Sequence, residues 1–213
     1  MRNHPVGRTK RTKERLSGEE RRTQILDAAL RLFADRGFSG TKTREIAELA
    51  GISETLIFQH FKSKAELYAE TLTQLLARHP VVPELEEKAG QKDDIGVFAT
   101  LALHVIKHAR QDPRIVRLSV FMALEGPQFG EVFRGGEDST MLISGFLERY
   151  IQQRIEDGAF ENVNAEIAAR LFIDTVFMLS VDQEVALTGA PLSFSVEQTV
   201  ETLVKIFLGG LKA

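Results

Sequence analysis

The sequence predicts an all-α protein, a nine-helix subunit with a small helix-turn-helix head at the amino end and a larger helical body behind it. Three observations carry this. Apolar residues recur at i, i+3, i+4 and i+7 through most of the 213 residues, the spacing of one helix face. Ser or Asp residues stand just ahead of these runs, twice with Glu three residues on, which marks helix starts. No convincing strand pattern and no internal repeat is present.

The stretch from Thr41 to Lys64 organises the head. A helix is expected from about Lys42 to Ala50, with Ile46, Ala47 and Ala50 inward. Gly51 stops it, because glycine takes the left-handed conformation without a Cβ penalty. Ser53 caps the next helix, where Ile57 and Phe61 pack down and Glu54, Thr55, Leu56, Gln59 and His60 stay on the outer side. A short helix presented after a glycine turn is the recognition element of a helix-turn-helix, the part that enters the major groove. Ahead of it, Ser17 and Glu20 form a capping box for a helix with Ile25, Ala28, Ala29, Leu32 and Phe33 on one face, ended by Gly37. Ser63 and Glu66 open a fourth helix carrying Leu67, Tyr68, Leu72 and Leu75 to about residue 79; it is the covalent link to the body. Residues 79 to 93, with Pro80, Pro83 and Gly90, read as a loop. Helices follow over about 95–111, from Pro113 to Gly126, over 139–157, from Asn164 to Gly189, and from Ser195 to the end; residues 126–136, glycine-rich, read as loop.

Composition narrows the function classes. The absence of cysteine excludes a disulfide framework and a cysteine metal site. Nothing resembles a signal peptide, and no segment approaches the about 18 consecutive apolar residues that span a bilayer, so a cytoplasmic protein is expected without a membrane partner. Residues 1–64 hold 14 Lys+Arg against 8 Asp+Glu, whereas residues 65–213 hold 13 against 22. A basic head on an acidic body is the charge footprint of a nucleic-acid binder; chance asymmetry is the bland reading. Residues 1–16 form a basic arm that either follows DNA or is a solvated tail. The expected domains are therefore the arm, the head over 17–64 (reaching about 79 with the connecting helix), and the body over 65–213.

From Arg21 to Tyr68 the chain resembles the TetR family of bacterial regulators. The resemblance rests on Ile25, Ala28, Phe33, Gly37, Thr41, Ile46, Ala47, Ala50-Gly51-Ile52-Ser53, Phe61, Lys64 and Leu67, in order and spacing. It implies a homodimer of nine-helix subunits. The first three helices would bind DNA, the middle ones enclose an effector pocket, and the last two form a four-helix dimer interface. Most such proteins repress transcription and leave DNA when a small molecule binds.

On the DNA face, Lys42, Thr43 and Lys64 lie at helix starts, which attract phosphate. Arg44 matches a position that reads a base in some relatives and suits guanine O6 and N7; a plain surface pair with Glu48 is the alternative. Thr55, Gln59 and His60 suit base edges or phosphates. Leu56 suits a thymine methyl or packs within the head. Phe58 stands where the family usually has Tyr, and Glu54 where Lys is frequent, so the operator is expected to be non-generic.

In the body, Phe98, Leu101, His104, Phe121, Met122, Glu125, Phe129, Phe146, Tyr150, Phe172, Asp174 and Phe177 are the candidates to line an apolar effector pocket. The alternative for each apolar member is plain core. His104 and His108, at i and i+4, have metal-ligand spacing but no third ligand in reach, so no metal or cofactor is expected. Phe172, Thr175, Leu179, Leu203, Val204, Phe207 and Leu211 are the candidate dimer contacts. The expected partners are thus an operator duplex, a small lipophilic effector and a second copy. A constitutive architectural DNA binder is the runner-up; an enzyme with a DNA head is disfavoured because no nucleophile elbow, phosphate loop or metal cluster is seen.

Overall fold

The computed structural model describes residues 16–77, 80–125, 139–185 and 194–212. The basic arm up to residue 15, the loop over 126–136 with Phe129, and the expected helix end at Gly189 lie outside the described residues.

Ten helices are present among these residues: α1 (Gly18–Arg36), α2 (Thr43–Ala50), α3 (Glu54–His60), α4 (Lys64–Ala77), α5 (Val82–Gly90), α6 (Asp94–Gln111), α7 (Arg114–Glu125), α8 (Ser139–Glu156), α9 (Ala165–Val185) and α10 (Val196–Leu211). The caps explain most of the boundaries. The Glu20 N–H donates to Ser17 Oγ at 3.2 Å and the Ser17 N–H to Glu20 at 2.8 Å. Gly96 N–H donates to Asp93, and Ser195 pairs reciprocally with Gln198; each cap satisfies backbone donors that a helix start leaves open. Gly51, at φ +66°, closes α2 in the left-handed region.

The sequence reading of 79–93 as loop is corrected by α5, so the described residues hold ten helices where the sequence suggested nine. Pro83 falls in the first turn, where its missing N–H has no intrahelical acceptor to lose. Val81 and Leu85 are buried in the body core; docking of one apolar edge overrides a composition of Pro, Gly and charge.

Two large apolar clusters form, beside a small third one of Ala109, Val116 and Val181. The head cluster joins Ile25, Ala29 and Phe33 of α1, Ile46 and Ala47 of α2, Ile57 and Phe61 with α3, and Leu67, Tyr68, Leu72 and Leu75 of α4. Leu118 and Met122 of α7 complete it. The body cluster joins α5, α6, α8, α9 and α10 around Phe98. The rings of Phe172 (4.9 Å, edge-on) and Phe207 (5.2 Å) sit against Phe98, with Tyr150 and Phe160 further out. An isolated bridge between Phe160 and Lys212 ties the chain end to the turn between α8 and α9. No helix among the described residues is long and apolar enough to cross a membrane.

A polar knot closes one side of the body core. Tyr150 donates to Asp94 Oδ1 at 2.6 Å, and Arg154 donates to both Asp94 oxygens at 2.8 and 3.3 Å. Burial works to raise the Asp94 pKa, but the hydrogen bonds from Arg154 and Tyr150 win and hold it below the usual carboxylate range. A carboxyl depressed in the folded state stabilises fully above its unfolded pKa, near 4, and loses that stabilisation as pH falls through the folded value. Asp94→Asn is therefore expected to destabilise at pH 7, with the gap to wild type closing as urea midpoints are followed down through pH 4 and below. Phe98→Ala, at the centre of the body core, is expected to cost about 3–5 kcal/mol in the same unfolding measurement.

Candidate nucleic-acid interface

The helix-turn-helix is held from behind by α1 and α4. Ile57 and Phe61 are 1% exposed, which fixes the face that α3 turns inward. Arg22 of α1 then locks three elements. It donates to the His60 carbonyl at 2.7 Å, pairs with Glu70 of α4, and lies 4.3 Å from the centroid of the Phe61 ring. Gln24 donates to the Ala50 carbonyl at 2.8 Å, satisfying the open end of α2. Neither residue figured in the sequence reading: their partners lie between 26 and 48 positions away, beyond any local pattern. Buried Thr41 donates to the Gly37 carbonyl at 2.8 Å and pins the turn that leads into α2.

With α3 fixed in this way, Thr55, Phe58 and Gln59 are exposed, while Glu54, Leu56 and His60 are half-buried. Ser53 caps α3 by accepting from the Leu56 N–H at 3.3 Å. Lys42 stands just ahead of α2 rather than inside it; its N–H donates to Glu45 at 2.9 Å. Thr43 donates its hydroxyl to Glu54, so the two helix starts are joined across the turn. Arg44 is 79% exposed and pairs with Glu48 at 3.0 Å. An exposed i,i+4 pair is worth about 0.3–0.5 kcal/mol, little enough for a nucleic-acid contact to replace it. Lys64 stands apart from the others. Its Nζ lies 4.1 Å from the centroid of Phe38. Desolvation lowers its pKa, opposed by the nearby charges of Glu125 and Glu45.

Among the described residues, the expected effector residues fall in several places. Phe98, Leu101, Phe146, Tyr150 and Phe172 come together, all buried in the body core. His104 is half-buried, with its ring 4.4 Å from that of His108, and among the described residues no three His, Cys, Asp or Glu side chains are grouped to hold a metal. Phe177 packs with Ala109, Val116 and Val181. Phe121, Met122 and Glu125 lie where α7 meets the head. Asp174 is exposed and accepts from Arg170 at 2.8 Å.

The expected dimer contacts do not share one face. Phe172, Val204 and Leu211 are buried within the subunit and Phe207 packs on Phe98. Part of the sequence stripe marked the inward side of α9 and α10, because both helices are apolar on two sides. Thr175, Leu179 and Leu203 instead line an open groove of about 710 Å³ with Phe194 and Ile206. The outward apolar residues are Ile167 (58% exposed), Leu171 (59%), Met178 (50%), Phe194 (60%) and Ile206 (70%).

Removing the Arg22 clamp is expected to loosen the head as a unit. Arg22→Ala should destabilise by about 1–3 kcal/mol, and Arg22→Lys should recover only part of it, because an ammonium lacks the planar fork. Thermal unfolding followed with hydrogen exchange in α3 checks both.

Residues 25–71 match the family model for bacterial regulatory proteins of the tetR family. The HTH-type transcriptional regulator TtgR of Pseudomonas putida is 36% identical over 110 residues, 52% of this chain and 51% of its own; the chain thus spans about half the length of this relative. An uncharacterized HTH-type transcriptional regulator of Bacillus subtilis, YvkB, is 28% identical over 89% of this chain and 96% of its own. Among solved structures, NalD of Pseudomonas aeruginosa, the secondary repressor of the MexAB-OprM multidrug efflux pump, superposes with a TM-score of 0.71 at 23% identity, covering 92% of this chain and 98% of that one. FadR of Bacillus subtilis in complex with stearoyl-CoA superposes at 0.70 with 15% identity, covering 88% and 98%. These two likenesses show the fold, and the match to the tetR family of bacterial regulatory proteins is carried by residues 25–71.

Proposed function

We propose that the protein is a transcriptional repressor that binds a palindromic operator as a homodimer and leaves it when a small lipophilic effector binds. The observation that carries this reading is the presentation of α3. Its inward residues are locked by the head core and by Arg22, leaving Thr55, Phe58 and Gln59 outward on a fixed frame. Thr55 and Gln59 hydrogen-bond to bases or phosphates, Leu56 covers a thymine methyl, and Arg44 exchanges Glu48 for guanine or phosphate. Lys42, Thr43 and Ser53 set the register on phosphates. The protein works in the cytoplasm, where its DNA is.

The outward apolar side chains of α9 and α10 support dimerisation. Ile167, Leu171 and Met178 follow one face of α9, and Phe194 and Ile206 line the groove with Thr175 and Leu179. A patch of this kind on a soluble protein calls for a partner, and a two-fold pairing of like faces closes it. Two heads then meet DNA half-sites about 34 Å apart, or a multiple of that.

Effector release rests on family likeness, including the stearoyl-CoA complex of FadR. A second reading, a constitutive binder without an effector, is favoured by the filled centre of the body, where Phe98, Phe172 and Phe207 are in mutual ring contact.

Titration against DNA flanking its own gene separates these readings. Saturable binding that resists competitor and falls steeply with salt is expected. Arg44→Ala should weaken it by about tenfold or more with stability unchanged. Release by stearoyl-CoA or another lipophilic compound supports the effector reading, and indifference to a broad panel supports the constitutive one. Ile206→Glu should give a monomer by sedimentation and lose most operator affinity; a variant that remains dimeric would overturn this choice of face.

A further inference from the structure

The last turn of α7 reaches out of the body and into the head. The Phe38 N–H donates to Glu125 Oε2 and the Ser39 N–H to Glu125 Oε1, each at 2.8 Å. The Tyr68 hydroxyl of α4 lies 3.4 Å from Oε2. Lys64, seated over the Phe38 ring, adds a nearby positive charge. One carboxylate thus takes two successive backbone donors of the turn between α1 and α2 and touches the helix that links head to body. Hydrogen bonds to an ionised acceptor are about twice as strong as neutral ones. The contact is close on every side: a methyl at Gly37 would lie 2.8 Å from Phe121 Cδ1 and 2.9 Å from Glu125 Oε1. Met122 and Leu118, one and two turns back along α7, are already part of the head core.

We propose that Glu125 is a latch that fixes the DNA-binding head on the body, so that a rearrangement at the carboxyl end of α7 reaches the turn before α2 through this carboxylate. The inference rests on the DNA-binding reading above and adds a second route beside the covalent one through α4. It makes Glu125 a positioning residue: it sets where the turn before α2 sits, and thereby the pose of α2 and α3. Without the latch, a head free to wander must be re-ordered on the operator, and affinity falls by that ordering cost.

The test uses the full-length protein and two readouts. Amide exchange over residues 37–41 is measured without DNA, and operator affinity by titration, for wild type, Glu125→Gln and Glu125→Ala, with Leu124→Ala as an exposed control on the same turn and circular dichroism to establish folding. Exchange at Phe38 and Ser39 is expected to quicken by about tenfold or more in Glu125→Ala, with Glu125→Gln intermediate because an amide keeps one acceptor. Operator affinity should fall in the same order by about fivefold or more, and Leu124→Ala should match wild type. Unchanged exchange in Glu125→Ala, or quickened exchange with undiminished operator affinity, overturns the latch. A wild-type protein that exchanges slowly here yet prefers no DNA sequence overturns the regulator reading instead, and leaves the head–body latch standing on the exchange result.

Discussion

Gly37 has no side chain, and the junction of head and body is arranged around the space this leaves. Its positive φ of 68° turns the chain out of α1, and its bare Cα lets Phe121 and Glu125 of α7 come within a distance that any Cβ would block. Because of that approach, a body helix finishes the head core with Leu118 and Met122. The other side of α7 faces the body, where Val116 packs with Ala109 and Val181. One helix therefore belongs to two cores, and neither part can shift without disturbing it. Close-packed interiors answer such a disturbance by switching between discrete packings rather than by deforming smoothly.

The head itself is small, and its rigidity comes from a few strong ties rather than from size. Phe33 meets Tyr68 edge-on at 4.7 Å, and Phe38 closes on the same ring at 5.4 Å. Arg22 and Gln24 bind the back of α2 and α3 to α1, and Thr41 pins the intervening turn. With the scaffold held in this way, Thr55, Phe58 and Gln59 of α3 stay exposed on a fixed frame, which is the condition a reading surface needs.

The body solves a different problem. Its centre is filled by aromatic rings, so the open spaces described lie beside α10 rather than within the bundle. One is the groove shared with α9; the other, of about 580 Å³, runs between α6 and α10 over Ile95, Ala99 and Leu103. α10 thus buries Val200, Val204 and Leu208 and still carries apolar Ile206 outward. A helix apolar on more than one side is suited to a bundle that continues beyond the subunit.

What the sequence determined by itself was local. Ser17 with Glu20, Gly51, Ser53 and Ser195 act within four residues of themselves, so helix starts, the α2–α3 turn and the inward pair Ile57 and Phe61 were legible in residue order alone. Tertiary structure decided whatever depends on distant partners. Arg22 finds Glu70 across 48 positions and Glu125 finds Phe38 across 87, and no spacing rule reaches that far. It also decided α5, where docking of Val81 and Leu85 outweighed a loop-like composition. It decided the faces of α9 and α10 as well: periodicity locates an apolar stripe but does not say which of two stripes the subunit keeps for itself. Phe172 and Val204 lie in the core and Ile167 and Ile206 at the surface because the inner sides of these helices are the ones that pack around Phe98.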